Sequence, residues 1–419
     1  MTDLISALTD HGNVELLARG RGRSYGDVAL LTGGRVVLTW RLDRIRHFDP
    51  ATGDIVVEPG VTFRDLLEVF LSRGFMVPVT PGTSFATIGG AVANDVHGKN
   101  HDRDGSFGDH LQWLDLLLPD GSITRCSAKE RNDLFRATIG GLGLTGIILA
   151  IAFRMARAPS NAAVVNEQRI ADLDEFLEKL TASRSAAHFS VGWIDALARR
   201  GALGRGILET GALAERGIPA TPSSVRATAI GLPAFAINRV TIAAFNKIYR
   251  RRVPKGTRER LMSLNRFLYP LDALGNWNRI YGKSGFRQFQ CVIPDTGARQ
   301  GLHRILEYVE RKGSLTSLAV IKTLGGEGRG LLSFPIRGVT LALDLPCRPG
   351  LDDAMAQLER LTLDHGGRVY LAKDSCISAT SFAQMYPKLS QFRRVLETVD
   401  PARRMNSDMA RRLRIRGTA

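Results

Sequence analysis

Three histidines and a lysine lie within one short polar run of this chain, "NDVHGKNHDRDGSFGDH", residues 94–110. His97 and His101 are four residues apart, a spacing that suits zinc when both lie on one helix. The intervening Gly98 and the glycines that follow argue against a continuous helix, and the sequence contains no HExxH motif. We therefore expect no metal site here, which leaves a phosphate cradle or the rim of a cofactor pocket.

Three segments look like phosphate-binding loops but fail on context. "GLGLTG" (141–146) matches G-x-G-x-x-G, yet a predicted helix precedes it and a predicted strand follows, the reverse of the dinucleotide fingerprint. "NWNRIYGKS" (276–284) has Trp277 where a P-loop needs its first glycine, and "HGKN" lacks the serine or threonine. The sequence predicts neither a Rossmann site nor a P-loop.

Three loops, two of which contain segments just discussed, are rich in glycine and small polar residues: "ARGRGRSYGD" (18–27), "PGTSFATIGGAVANDVHGKNH" (81–101) and "GGLGLTG" (140–146). Glycine lets backbone N–H groups approach an anionic oxygen closely, and consecutive N–H groups form anion nests. Tight turns would explain any one of these loops, but they explain all three in this order poorly. Together the loops could wrap a long ligand that carries a diphosphate.

The elements that must position these loops change in character along the 419 residues. The first part alternates short strands with turns: strands are predicted at 35–40, 54–60, 114–124 and 146–155, and helices at 62–74 and 128–140. Beyond about residue 156, longer helices are predicted at 172–184, 298–313 and 351–367, with strands at 286–294, 315–325 and 338–346. Residues 225–280 fit neither pattern and are predicted to form a mobile cover.

The net charge of +16 allows three interpretations. Basic residues concentrate in 247–260 and 402–416, where they could neutralise nucleic-acid phosphates. The apolar run at 227–245 beside the first basic segment would instead suit an anionic membrane surface. A solvated basic face would also explain the charge.

The compartment is predicted from what the sequence lacks. Its four cysteines form no CxxC pair, which suits a reducing environment. The first residues show no secretory signal, and no uninterrupted apolar run reaches about 18 residues. We expect a cytoplasmic protein with peripheral contact at the inner face of the membrane.

Specific motifs in both halves resemble one family. "GRSYGD", "HGKNH", "GSFG", "GGLGLTGII", "PLDALGNWNRIYG", "QFQCVIP", "YLAKDS" and "SDMARRL" resemble the vanillyl-alcohol oxidase/p-cresol methylhydroxylase family of flavoproteins, nearly end to end. The resemblance implies an α+β fold with a PCMH-type FAD-binding domain at 1–155 and an antiparallel-sheet substrate domain at 156–370. A lid would lie at 225–280, and residues 371–419 would return to the FAD domain.

The resemblance further implies non-covalent FAD. Relatives that tether flavin through the first loop carry histidine after G-x-G, whereas this chain has Arg23 between Gly22 and Ser24. His97 and Lys99 would lie at the rim of the pocket near the isoalloxazine. By the same resemblance the cofactor would be bound by Arg19, Gly20, Gly22, Arg23, Ser24, Tyr25, Gly26, Pro81, Gly82, Thr83, Thr87, Gly89, Gly90, Asn94, His97, Gly98, Lys99, Gly141, Gly143, Gly146, Ile147 and Lys373.

The resemblance places the substrate against Trp193, Gln288, Gln290, Lys322 and Lys373. Lys373 would stabilise negative charge on the reduced ring, and His97 or a desolvated lysine would remove the hydroxyl proton. Taken alone, the lysine, glutamines and tryptophan could equally be edge, solvent-face and core residues. Close family members carry Asn and Cys where this chain has Thr340 and Ala342, which makes the predicted pocket edge smaller and less polar.

The implied reaction is oxidation of a secondary sugar hydroxyl to a ketone, specifically the 2′-OH of a polyprenylphosphoryl ribose, in synthesis of an arabinan precursor for the cell envelope. A separate NAD(P)H-dependent keto-sugar reductase would be the partner, the segment 227–260 would contact a membrane, and no nucleic acid would bind. Two alternatives stay open. One is an FAD-dependent oxidase of a soluble alditol or sugar lactone, and the other is a non-enzymatic nucleic-acid-binding protein.

Overall fold

A computed structural model describes residues 14–219, 226–227, 238–275, 277–312, 316 and 318–417. Its strands are β1 (Leu16–Arg19), β2 (Arg35–Leu38), β3 (Ile45–Phe48), β4 (Asp54–Val57), β5 (Phe75–Met76), β6 (Leu111–Leu117), β7 (Ile123–Ser127), β8 (Ile147–Arg154), β9 (Ala156–Arg157), β10 (Ala162–Ile170), β11 (Phe189–Ile194), β12 (Gly206–Leu213), β13 (Arg226–Ala227), β14 (Thr257–Ser263), β15 (Leu274–Gly275), β16 (Phe286–Pro294), β17 (Ala319–Leu324), β18 (Gly338–Pro346) and β19 (Arg368–Val369). Its α-helices are α1 (Phe63–Phe70), α2 (Ile88–Ala93), α3 (His101–Asp104), α4 (Asn132–Thr138), α5 (Leu173–Ala186), α6 (Arg239–Arg251), α7 (Leu264–Leu268), α8 (Asp295–Arg311), α9 (Leu351–Asp364), α10 (Ala379–Met385), α11 (Leu389–Val399) and α12 (Asp408–Arg412). The predicted α+β class is confirmed.

The N-terminal half contains a five-stranded sheet in the order β3-β4-β8-β6-β7. Helix α1 packs on it through Phe63 and Leu66, which are fully buried. That helix begins at Thr62, whose side chain forms a capping box with Asp65, so two otherwise unpaired donors are satisfied. The α-helix passes into a 3-10 turn that ends at Gly74 with φ 80°, as the sequence predicts.

The single strand predicted at 114–124 is wrong, because the chain forms a hairpin there. β6 and β7 pair antiparallel, Leu117 opposite Ile123. The turn between them includes Asp120, whose side chain accepts a bond from the Ser122 N–H at 2.8 Å, and Gly121, with φ 87°. Pro-Asp-Gly is a strong turn signal, and it separates two strands rather than interrupting one.

The C-terminal half is built on an eight-stranded sheet in the order β14-β10-β12-β11-β17-β18-β16-β19, and all its pairs are antiparallel. Helices α5, α8 and α9 cover one face through apolar side chains such as Phe176, Ile305 and Leu358. Strand side chains alternate between faces. Cys291 of β16 and Leu341 of β18 therefore point into this core. The residues next to each of them along its strand point to the opposite face.

Part of the segment predicted to form a mobile cover, 225–280, belongs to the large sheet. β14 pairs with β10 from Thr257 to Ser263 as the edge of the large sheet. Arg258 donates to the buried Glu167 at 2.8 Å, which explains why a polar, charged segment still joins the sheet. Residues 225, 228–237 and 276 of the predicted cover lie outside the described residues.

Residues near the C-terminus lie against the first glycine-rich loop. Met405 forms an isolated parallel β-bridge with Leu16. Arg412 donates to both Asp27 and Asp374, at 2.7–2.8 Å. In the described ranges, the helices are all too short or too polar to cross a lipid bilayer.

Candidate active site

A cavity of about 620 Å³ lies between the three glycine-rich loops and the open face of the large sheet. Most of the residues predicted for cofactor and substrate line it. These are Arg19, Gly20, Gly22, Arg23, Ser24, Tyr25, Pro81, Gly82, Thr83, Thr87, Gly89, Gly90, Asn94, His97, Gly143, Gly146, Gln288, Gln290, Lys322 and Lys373.

Four predicted cofactor residues lie behind the loops instead of on the cavity wall: Gly26, Gly98, Gly141 and Ile147. A Cβ on Gly26 would lie 1.8 Å from the Asp374 carbonyl oxygen, and one on Gly141 would lie 1.9 Å from that of Ala137. These glycines therefore allow backbone segments to pack closely, and their role is to shape the loops.

Lys99 and Trp193 also differ from their predicted positions on the cavity wall. The Lys99 ammonium donates to the Phe267 carbonyl and lies 4.2 Å from the centre of that ring. Trp193 packs against Tyr249 of α6 with ring centroids 4.9 Å apart. It shares an apolar cluster with Leu318, which does line the cavity, so Trp193 supports the wall from behind.

The sheet side of the cavity follows from strand register. Ala342 of β18 lies between Gln290 of β16 and Val320 of β17, and Thr340 lies beside Lys322. All five point away from the helix-covered core and line the cavity. The alternating glutamines that could have been a solvent face are therefore part of the cavity floor.

His97 is the titratable group that bridges the loops and this floor. The Gln290 amide nitrogen lies 3.0 Å from His97 Nε2 and 3.2 Å from the Thr340 hydroxyl oxygen. Among the described residues no group bonds to His97 Nδ1, although that atom is buried. Burial, followed by the charge of Lys322, holds the pKa of His97 well below its usual value. The imidazole is therefore neutral at neutral pH.

Two partly buried lysines add to the positive charge of the cavity, which Arg19, Arg21 and Arg23 also line. Burial lowers the pKa of both Lys322 and Lys373 to about 8, and for Lys322 the nearby charges of Lys99 and Lys373 add to this effect. The Lys373 ammonium lies 3.9 Å from the centre of the Tyr25 ring. Two cations held close together in a confined space favour an anionic ligand or an anionic transition state.

Sequence reasoning missed Asp344, which is only 1% exposed. It accepts hydrogen bonds from the Gln288 amide and from the Tyr281 hydroxyl, the latter at 3.4 Å. Burial raises the pKa of Asp344 to about 6, and its charge in turn raises the pKa of Lys373. Strand alternation with Thr340 and Ala342 could have revealed it, because a carboxylate in an otherwise apolar strand needs a partner.

Tyr370 was missed as well. It lines the cavity, its hydroxyl donates to the Asn94 carbonyl at 3.2 Å, and its ring lies 5.1 Å from the His97 ring. Tyr370 therefore holds the histidine loop against the sheet.

Comparison with known proteins agrees with this arrangement. The family described as "FAD binding domain" matches residues 2–127, and "D-arabinono-1,4-lactone oxidase" matches residues 345–413. The decaprenylphosphoryl-β-D-ribose oxidase of Mycolicibacterium smegmatis is 35% identical over 98% of this chain and 92% of that protein. An uncharacterised protein of Streptomyces coelicolor is 32% identical over 84% of this chain and all of its own length. A putative D-arabinono-1,4-lactone oxidase of Neurospora crassa is 28% identical over 39% of this chain and 30% of that protein.

The residues present fit FAD. A Cβ built on Gly82 meets no atom within 4 Å, and Gly82 lines the cavity, so packing within the protein does not require glycine there. The buried Asn94 Oδ1 has no bonding partner among the described residues. Backbone N–H groups of the glycine loops would hold the diphosphate, and Tyr25, His97 and Lys373 would lie toward the flavin.

Proposed function

The chain belongs to the family of FAD-dependent oxidoreductases that includes decaprenylphosphoryl-β-D-ribose oxidase, and on this premise we propose that it oxidises the 2′-hydroxyl of a polyprenylphosphoryl ribose to a ketone. The observation that carries the proposal is a sheet face with Gln288, Gln290 and Lys322 set directly across one cavity from the glycine loops. Amides suit sugar hydroxyls, and the ammonium of Lys322 suits the phosphate of a lipid-linked sugar.

FAD, when bound, supplies the two-electron acceptor for the hydrogen of the oxidised carbon. The protein must then hold the sugar in place and take the hydroxyl proton. His97 can perform the second task because it lines the cavity and its imidazole is neutral. A half-turn of the Gln290 amide would present its oxygen to His97 Nε2–H and leave a lone pair on Nδ1. Because Nδ1 is buried, the imidazole would have to turn toward the sugar to take its proton. Gln290 then sets which nitrogen carries the proton.

Lys373 contributes charge. Its pKa of about 8 keeps the ammonium mostly protonated at neutral pH. In the confined cavity this cation would stabilise the negative charge that the flavin ring carries once it is reduced. The proton goes to His97, the hydrogen with its electron pair leaves the carbon, and the C–O bond becomes the ketone.

The proposed reaction also calls for a partner enzyme. The keto-sugar needs a second, reducing enzyme that uses NAD(P)H if the overall outcome is epimerisation at C2′. A lipid-linked substrate further implies contact with a membrane, and no nucleic acid is required.

A second candidate is oxidation of a soluble sugar lactone or alditol. The match of residues 345–413 to D-arabinono-1,4-lactone oxidase favours it. These residues include Lys373, so this part of the cavity would be shared by both activities.

Trapping the product tests the proposal. The FAD-loaded protein is incubated with polyprenylphosphoryl ribose and an artificial electron acceptor, and the product is reduced with borodeuteride. We expect one deuterium, at C2′, in a mixture of ribose and arabinose epimers. Deuterium at another carbon would refute the 2′ assignment, and turnover of lactones or alditols alone would favour the second candidate.

A further inference from the structure

The outer face of α6 carries large apolar side chains that are open to solvent. Val240 is 76% exposed, Phe245 52% and Ile248 70%. Val240 and Ile248 lie on one stripe with the exposed Ala244, because residues four apart share a helix face. Contiguous exposed apolar surface often marks an interaction site, so this stripe is a candidate for one.

Cations flank this stripe without neutralising partners. Lys247 and Arg251 are both exposed, and neither makes an ion pair among the residues that the structure describes. The next arginine, Arg252, is different, since it bonds to Glu167 and Glu209. Arg252 is therefore neutralised, while Lys247 and Arg251 stay available beside the apolar stripe.

The inner face of α6 is fixed to the wall of the cavity. The Asn246 amide donates to the buried Asp195 at 2.6 Å, and Tyr249 packs on Trp193. Trp193 in turn contacts the cluster that includes Leu318 of the cavity wall. A surface bound to the outer face of α6 would therefore lie next to the substrate side of the cavity.

We propose that the outer face of α6, defined by Val240, Ala244, Lys247, Ile248 and Arg251, docks on an anionic lipid bilayer. The proposal rests on the proposed function, because a lipid-linked sugar must leave a bilayer to reach the cavity. The apolar side chains enter the boundary between headgroups and acyl chains, and the two cations meet anionic headgroups. Nucleic acid would engage the cations but leave Val240 and Ile248 in water, so a bilayer accounts for more of the surface.

Vesicle sedimentation tests the surface. The FAD-loaded full chain is mixed with vesicles of phosphatidylglycerol and phosphatidylcholine, or of phosphatidylcholine alone. We expect salt-sensitive binding to the anionic vesicles only. Lys247→Gln with Arg251→Gln should weaken vesicle binding roughly thirtyfold, since each cation near an anionic surface contributes about 1 kcal/mol. Val240→Ser with Ile248→Ser should weaken it about tenfold or more.

Matched controls lie on and just after β7 of the five-stranded sheet. Ile123→Ser removes a side chain that is 52% exposed, and Lys129→Gln removes an exposed cation, and both should bind vesicles like the wild type. The proposal would be overturned if the α6 variants bound vesicles as well as the wild type, or if the controls lost as much binding as the α6 variants. It would also be overturned if the wild type did not bind anionic vesicles, or if single-stranded DNA displaced it from them.

The two proposals can fail separately. A polyprenylphosphoryl ribose with a short, water-soluble chain needs no bilayer, and the α6 variants should reduce their flavin with it at the wild-type rate. Flavin reduction without vesicle binding would refute the docking surface and leave the proposed function intact. Vesicle binding that depends on α6, with no flavin reduction by this sugar, would refute the proposed substrate.

Discussion

Lys373 is the residue on which the proposed chemistry depends most. Its ammonium lies against the Tyr25 ring inside the cavity, where water is restricted and charge acts strongly. Lys373→Met keeps the length of the side chain and removes the charge. We expect flavin reduction by substrate to slow roughly 100- to 1000-fold, measured by anaerobic stopped flow, while FAD stays bound. Lys373→Arg should recover part of the rate, and a Met variant as fast as the wild type would contradict this role.

The pH dependence of the same step reports on Lys373 and its neighbour Asp344. His97 stays neutral because its pKa is depressed, so acid should not slow the reaction near the usual pKa of histidine. The rate should fall as pH rises through the pKa of Lys373, about 8, where the ammonium loses its proton. Asp344 raises that pKa, so Asp344→Asn should move the fall to lower pH. An unchanged or upward shift in the stopped-flow profile would exclude this coupling.

At the residue scale the sequence could place side chains near the cavity but not orient them. His97 and Lys99 are separated by one glycine, yet His97 lines the cavity while the Lys99 ammonium bonds to the Phe267 carbonyl. That choice depends on a residue distant in sequence, which local spacing cannot reveal. Asp344 was missed for a related reason, since its partner Gln288 lies on the neighbouring strand.

At the scale of elements, two loop glycines should behave oppositely. Gly82 lies on the cavity wall with open space around its Cβ position, so Gly82→Val should leave the apo-protein's stability unchanged and weaken FAD binding tenfold or so. Gly26 has φ +63° and its Cβ would meet the Asp374 carbonyl, so Gly26→Ala should lower the free energy of unfolding by about 1–3 kcal/mol or more. Thermal unfolding without FAD and fluorescence titration with FAD separate the two. Equal effects of the variants on both measurements would contradict the assignment.

Strands with strong local signals were predictable. β16 and β18 have the predicted bounds because apolar runs there end at proline or begin at glycine. β14, "TRERLMS", was not predicted because its sequence is mostly polar, and pairing with β10 and with Glu167 decides its conformation. The sequence therefore indicates elements that bury apolar faces on their own, and it misses those that depend on a partner.

At the scale of the whole molecule, Arg412 joins three distant parts of the chain. It bonds to Asp27 of the first loop and to Asp374, which is 2% exposed and follows Lys373. Arg412→Met leaves this carboxylate without its cation and should cost roughly 3–5 kcal/mol of the free energy of unfolding, measured in urea. Arg131→Met breaks an ion pair whose side chains are both more than half exposed, and it should change stability little. If Arg412→Met lost no more unfolding free energy than Arg131→Met, the result would contradict a stabilising contact between the C-terminal segment and the first loop.

The anaerobic visible spectrum of the purified protein tests the central claim most directly. The account predicts a flavin band that bleaches when polyprenylphosphoryl ribose is added, without any other reductant. A flavin band that stays oxidised with this sugar but bleaches with a soluble lactone or alditol would contradict the proposed substrate. A protein with no flavin band, even after incubation with FAD, would contradict the assignment of the cavity itself.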